Sequence, residues 1–245
     1  MKDNFSSNSD LYSLYRPSYP IVIYEFIKSK LGRNINAWDC GTGNGQVAGT
    51  LAKFFKNVYA TDISQSQLDN AISNSKIIYS LQPAEKTNFP NQIFDLVTVA
   101  QAIHWFNFEA FYSEVKRTIK PDGLFVILGY NLVKIDHQID MSISHFYKNI
   151  IGDYWDAERK YIDENYQTIP FPFKELSVPS FSHQLEWTFE QFIGYLNTWS
   201  AVKHFIRKKG TNPVALIENE LRIKWGGKSK RTVNFPILLR VGKLD

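Results

Sequence analysis

The residues Asp39-Cys40-Gly41-Thr42-Gly43-Asn44-Gly45 place three glycines at alternate positions, straight after the apolar run 35–39 (INAWD) and straight before 46–55, whose spacing is helical. Glycine there permits a sharp turn and lets a ligand approach the backbone closely. A dinucleotide fingerprint needs its third glycine at position 46, where this chain has Gln46, and a phosphate loop needs a Gly-Lys-Ser/Thr that is absent. Asp62 closes the next apolar run, 58–62 (VYATD), 21 residues beyond Gly41. An acid at that point can accept both ribose hydroxyls of a nucleoside. Read alone it is a turn residue or helix cap; with the glycine loop at this spacing, ribose binding is favoured.

To bring the loop and the acid to one ligand, the strands before them must end side by side, and the rest of the sequence supplies such a sheet. Short apolar runs alternate with helix-like stretches from about residue 35, the pattern of stacked strand–helix units and a mostly parallel sheet. After 58–62 come a helical stretch at 64–73 with Ser64 as N-cap, a weak strand at Ile77–Leu81, a fully buried strand at Phe94–Ala100 and a helix at 108–119. Lys120-Pro121-Asp122-Gly123 ends that helix and leads into a strand at 124–129. Residues 131–178 are aromatic-rich, partly helical and too long for an ordinary connection; they read as an inserted cap. A strand at 181–187, a helical region opened by Thr188 or Glu190 and running through Ile206, a helix at 213–222 and a last strand at 232–241 complete the chain. Pro236 favours an edge or a bulge in that last strand.

The composition sets outer bounds. With 245 residues, 44% of them hydrophobic and 21% charged, there is material for one large domain or one domain with a sizeable insertion, and the chain is far from a disordered composition. A single cysteine, Cys40, rules out an internal disulfide and a cysteine metal cluster, and no metal site is expected. No run of about 18 apolar residues exists to span a bilayer. The first residues lack the apolar core of a signal peptide, so a cytoplasmic location without membrane partners is expected. The net charge of +4 hides 11 Lys/Arg against 3 Asp/Glu in residues 203–245. With no aromatic-interleaved basic box beside it, that charge reads as solvated surface in preference to a nucleic-acid site.

Further motifs make the pattern specific: Tyr15-Arg16-Pro17-Ser18-Tyr19-Pro20, Asp62-Ile63, Ala84-Glu85, Phe94-Asp95-Leu96-Val97, Ala100-Gln101-Ala102-Ile103-His104-Trp105-Phe106, then 117–123 (RTIKPDG), 195–202 (YLNTWSAV) and 232–236 (TVNFP). On these residues and the glycine loop, over nearly the whole chain, the sequence resembles class I S-adenosylmethionine-dependent methyltransferases, in particular the type 11 group that includes trans-aconitate methyltransferases. The resemblance implies S-adenosylmethionine as cofactor and a Rossmann-like seven-stranded α/β sheet in the order 3-2-1-4-5-7-6, strand 7 antiparallel, with a helical cap. It places Asp39, Gly41, Gly43 and Gly45 by the methionine part, Asp62 on the ribose, and Ile63, Ala84 and Glu85 at the adenine. Tyr15, Arg16, Ala100, Gln101, His104 and Trp105 fall on the same cofactor side. Many relatives carry Asp where this chain has Pro83, which leaves adenine recognition to backbone groups and Ile63. The Asn/Asp-Pro-Pro-aromatic box of DNA and amide methyltransferases is absent at 101–105, which argues against base methylation.

Several residues keep two readings. His104 and Trp105 line the site or belong to the core, and His104 is a weak candidate for a general base. Arg16 meets a carboxylate of acceptor or cofactor, or makes a surface ion pair. Tyr147, Tyr154, Trp155 and Tyr161 form cap core or a cation-binding cage. The expectation is a single domain over 1–245, with cap elements 1–20 and 131–178. Its reaction is methyl transfer to a small-molecule acceptor. A carboxylate is favoured because it is ionised at neutral pH and needs no base. The rival readings are a non-catalytic cofactor-binding protein of the same fold and an RNA or DNA methyltransferase. The oligomeric state is not legible.

Overall fold

Alternation of apolar side chains along each strand builds two layers on one sheet. In β1 (Asn36–Cys40), β4 (Phe94–Ala100) and β5 (Ile119–Tyr130), residues Ala37, Leu96, Leu124, Val126 and Leu128 pack in one layer. Trp38, Val97, Val99, Phe125 and Ile127 pack in the other. Successive side chains of a strand point to opposite faces, so both faces are dry and need helical cover. α1 (Ile21–Ser29) and α2 (Gln46–Leu51) supply it on the first face through Ile23, Ile27, Val47 and Leu51. α4 (Phe108–Thr118) supplies it on the second through Phe111, Tyr112 and Val115. The protein is seen in a computed structural model that describes residues 15–244; the part of the expected N-terminal cap in residues 1–14 lies outside them.

With β2 (Asn57–Asp62) and β3 (Ile77–Leu81), the parallel strands run β3-β2-β1-β4-β5. The long strand β8 (Arg231–Lys243) then pairs antiparallel with β5, from Phe125↔Gly242 to Tyr130↔Ile237. The opposite edge of β8 carries β7 (Ser182–Trp187), in register from Ser182↔Pro236 to Trp187↔Arg231, and the two-residue β6 (Lys174–Glu175). This is the expected order, with β8 as the seventh major strand and β7 as the sixth. Pro236 sits inside the sheet, not at its edge: the Asn131 N–H donates to its carbonyl at 2.9 Å, and the proline has no N–H to return the bond.

Three local readings change. Phe94 pairs with Ile119 and Leu96 with Leu124, so Lys120–Gly123 is a bulge inside β5 and not a turn before it. The Lys120 ammonium meets Asp95 at 2.6 Å, and Asp95 also accepts the Ile35 and Asn36 N–H groups. These charged motif residues therefore tie strand starts together, at the end of the sheet away from the glycine loop. α3 spans only Gln65–Asp69, capped as expected by the Ser64 hydroxyl on the Gln67 N–H. The helical region after β7 breaks at Thr198-Trp199 into α7 (Phe189–Asn197) and α8 (Ser200–Lys209), and α7 opens with a reciprocal capping box between Thr188 and Gln191.

Residues 131–178 form α5 (His137–His145), a π-turn at Phe146–Ile150, short 3₁₀ turns at Gly152–Tyr154 and Ala157–Arg159, and α6 (Lys160–Asp163). Ile139, Phe146 and Tyr147 pack there against α7, α8 and α9 (Ala215–Trp225), through Phe192, Trp199 and Trp225. Part of the basic C-terminal charge is spent internally: Arg231 pairs with Asp136, Arg240 with Glu175 and Lys224 with Glu220, while Arg207, Lys208 and Lys209 lie in the last turn of α8. Among the described residues no helix is long and apolar enough to cross a membrane.

Candidate functional site

All five parallel strands deliver residues to one cavity at their C-terminal ends, the edge at which open α/β sheets bind ligands. Its empty space is about 1080 Å³ measured out to the open mouth. β1 runs into the glycine loop, where Gly41, Gly43 and Gly45 all have positive φ. At Gly41, with φ +65°, an added Cβ would lie 2.8 Å from Ala102 Cβ and 3.3 Å from the Phe106 ring. Only glycine fits that approach between loop and wall.

Two buried or half-buried carboxylates hold the loop. Asp39, almost fully buried at the end of β1, accepts from the Thr42 hydroxyl at 2.6 Å, the Thr98 hydroxyl at 2.8 Å and the Ala48 N–H at 3.1 Å. Burial pushes its pKa up to about 6, against the lowering effect of these hydrogen bonds. Asp62 at the end of β2 accepts the Gly43 N–H at 2.8 Å on one oxygen and the Ser64 N–H at 2.9 Å on the other. A carboxylate offers about four lone-pair sites, so acceptor capacity is left for two hydroxyls of a ligand.

Ten of the fourteen residues named from sequence line this cavity: Arg16, Asp39, Gly41, Gly43, Asp62, Ile63, Ala84, Ala100, Gln101 and Trp105. Four do not. Tyr15 packs its ring against Gly194 of α7. Gly45 turns its back to the Tyr79 hydroxyl, which donates to the Ile72 carbonyl. Glu85 points away and accepts the Asn107 N–H at 3.1 Å. His104 faces a second chamber. Gln67, Gln82 and Tyr130 line the main cavity without having been singled out. Gln82 stands one place before Pro83, where a side-chain amide was a legible alternative to the missing acid. Gln67 and Tyr130 carried no signal, because only the fold brings them there.

The second chamber, about 470 Å³ to its mouth, adjoins the first, because Arg16, Gln101 and Trp105 line both. Its remaining walls are His104, Ser200 and four residues from the 131–178 segment: Trp155, Asp156, Arg159 and Ile162. At the shared waist Arg16 donates to the Tyr130 hydroxyl at 3.0 Å and to the Thr198 carbonyl at 3.2 Å. Gln101 there has φ +53°, a left-handed backbone uncommon outside glycine, held by its N–H on the Leu128 carbonyl and its amide on the Tyr130 carbonyl. Such strain persists only where surrounding structure fixes it and clusters at functional sites.

His104 is 6% exposed, stacks near Tyr166, and among the described residues its Nδ1 has no hydrogen-bond partner. Burial, and secondarily the positive charge of Arg159, push its pKa down to about 3. The ring is therefore neutral at neutral pH and a poor base. A histidine whose folded value lies below its unfolded one stabilises fully above the unfolded value and loses that contribution as pH falls toward 3. Replacing it by glutamine should flatten the acid limb. Between pH 6.5 and 5.5 the wild type is expected to lose about 1 kcal/mol of stability relative to His104→Gln, read from urea midpoints. Asp39 has the opposite sign: its contribution is full below about 4 and is lost as pH rises through about 6. The comparison must therefore be between variants at matched pH.

The donor set fits a nucleoside carrying a zwitterionic tail: a cradle that tolerates no Cβ, an acid beside it, and apolar walls at Ile63, Ala84, Ala102 and Phe106. A family profile described as a methyltransferase domain matches residues 38–127. The chain is 36% identical over 251 residues to a Dictyostelium discoideum protein named as a methyltransferase, covering 99% of this chain and 95% of that one. It is 25% identical to a Saccharomyces cerevisiae protein named as an S-adenosylmethionine-dependent methyltransferase, over 91% of this chain and 89% of that one. A solved structure from Anaeromyxobacter dehalogenans, described as a type II methyltransferase, superposes with a TM-score of 0.87 at 34% identity, covering 94% of this chain and 98% of that one. Sequence, sheet order and cavity thus lead to one assignment: the chain belongs to the class I S-adenosylmethionine-dependent methyltransferases.

Proposed function

We propose that this chain methylates a small organic acid, binding S-adenosylmethionine in the main cavity and the acceptor in the second chamber. The observation that carries the reading is the waist of Arg16, Gln101 and Trp105 between the two spaces, where an acceptor atom could meet the methyl group away from water. Gly41 and Gly43 would hold the methionine part, Asp62 the ribose, and Ile63 with Ala84 the adenine. Asp39 acts through the loop that it braces. When bound, S-adenosylmethionine supplies a methyl carbon on a sulfonium sulfur; the acceptor's lone pair forms the new bond as the carbon–sulfur bond breaks and its electron pair stays with sulfur. The chain's residues then have to orient the acceptor and keep water out, and orientation alone can supply much of the rate. A carboxylate suits this site because it needs no deprotonation, and the one histidine in the chamber is a poor base. Residues 131–178, in this reading, are the cap that closes over the acceptor.

The reading is tested with a labelled-methyl assay across a panel of organic acids, amines and phenols, beside tRNA and duplex DNA. Turnover of a small acid supports it. Methyl incorporation into nucleic acid alone would overturn it, and S-adenosylmethionine binding with no turnover of any acceptor would favour a non-catalytic relative. Arg16→Ala is expected to raise KM for the acidic acceptor about tenfold, roughly one charge-assisted hydrogen bond, with less effect on cofactor affinity. The opposite pattern would assign Arg16 to the cofactor's own carboxylate.

A further inference from the structure

Tyr147, Tyr154 and Trp155 pack in the cap core, the favoured of the two readings, and two of these rings also hold a cation of the chain's own. The Arg159 guanidinium lies 5.3 Å from the Tyr147 ring centroid and 4.7 Å from that of Trp155. Its Nε donates to the Tyr147 hydroxyl at 2.7 Å and reaches Asp163 at 3.4 Å. The rings and these bonds hold the guanidinium in place, while among the described residues its two terminal nitrogens have no hydrogen-bond partner. Other partly buried arginines differ: Arg117, Arg231 and Arg240 spend their terminal nitrogens on carboxylates and carbonyls, and Arg16 on Tyr130 and Thr198. Arg159 lines the second chamber, and its side chain is 20% exposed.

We infer that Arg159 is the specificity-determining residue of the second chamber and that it takes a carboxylate of the acceptor in a two-pronged hydrogen-bonded pair. The inference rests on the second chamber's being the acceptor site. A planar fork held by aromatic faces matches the two oxygens of a carboxylate and has nothing to offer a neutral amide oxygen beyond one bond. Trp105 and Trp155 give the chamber flat apolar walls, so a planar acid is preferred. Asp156 is the carboxylate that shares the chamber; it lies 3.8 Å from His204, and two arginines outnumber it. The fork takes two of the carboxylate's roughly four lone-pair sites and neutralises much of its charge, which weakens it as a nucleophile; this carboxylate is therefore a handle, and the atom that receives the methyl group belongs to a second group on the acceptor, at the waist.

The test uses the full chain saturated with S-adenosylhomocysteine, titrated calorimetrically with benzoate and succinate and with their neutral counterparts benzamide and succinamide, then repeated without the nucleoside. The acids are expected to bind at least tenfold more tightly than the amides. Arg159→Gln should remove at least tenfold of the acid affinity while leaving S-adenosylhomocysteine affinity unchanged, the readout that shows the fold intact. Arg159→Lys, which keeps the charge without the fork, should restore only part. Tyr147→Phe keeps the ring, frees Nε, and should give an intermediate loss. Equal binding of acids and amides, no acid binding at all, or full acid affinity in Arg159→Gln would overturn the inference. Failure of the wild type to bind S-adenosylhomocysteine would instead overturn the cofactor reading, while the titrations without nucleoside still judge Arg159.

Discussion

Asp62→Ala should weaken S-adenosylmethionine binding about 100-fold, roughly 2.7 kcal/mol. The ribose loses hydrogen bonds to a charged acceptor, each about 1.5–3 kcal/mol, and two backbone donors, the Gly43 and Ser64 N–H groups, lose their partner as well. The glycine loop is then untethered on the side that faces the ligand, so the loss reaches beyond the ribose. Asp62→Asn keeps one acceptor oxygen and should fall between. Calorimetry with S-adenosylhomocysteine decides the matter: unchanged affinity in Asp62→Ala would return Asp62 to a turn residue.

Gly41→Val is expected to do more, removing at least about 1,000-fold of cofactor affinity, roughly 4 kcal/mol. A β-branched residue at φ +65° is a strained conformation costing about 1–3 kcal/mol, and its Cβ would press on Ala102 and Phe106, both of which line the cavity. Overpacking of that kind costs a further 1–3 kcal/mol or so. Because the loop can relieve both only by moving into the ligand space, the cost falls on binding more than on the sheet. A near-normal thermal midpoint with no detectable binding is the expected pair of results. Normal binding would mean that the loop is not the cradle.

The fold was legible because strands and glycines carry local signals. Strands 77–81 and 94–100 match their expected bounds, and Ser64 caps its helix as read. What escaped depends on the neighbours of a segment. The Lys120–Gly123 tetrapeptide has turn composition, yet Ile119 is drawn into the sheet by pairing with Phe94, and the same residues become a bulge. β6 is two residues in a proline-rich stretch, a strand only because β8 runs past it. At the site, spacing pointed to the loop and Asp62, and the family resemblance to the residues after β4; Ala100, Gln101 and Trp105 line the same cavity as the loop. Glu85 was not: in the structure it answers to the Asn107 N–H, a partner 22 positions away. The place of Arg159 in the chamber wall was not legible, since a lone arginine in an aromatic stretch reads as surface until Tyr147, Trp155 and that wall are assembled around it.

β8 gives the molecule an order of assembly. The last major strand is the one that completes the sheet, and the partner of Tyr130 lies 107 positions later in the chain. During synthesis β5 is made long before its outer neighbour, so one edge of its apolar stretch, residues 124–128, stands open while α5 to α9 are still emerging. Closing so long a loop is entropically costly and slow, and an unpaired apolar edge is the kind of surface that recruits other chains. β7 and β6 also hang on β8, so three ladders wait on the same thirteen residues. Folding is thus gated by β8, and a nascent chain halted before residue 231 has the parallel half of its sheet finished and its antiparallel half without a template.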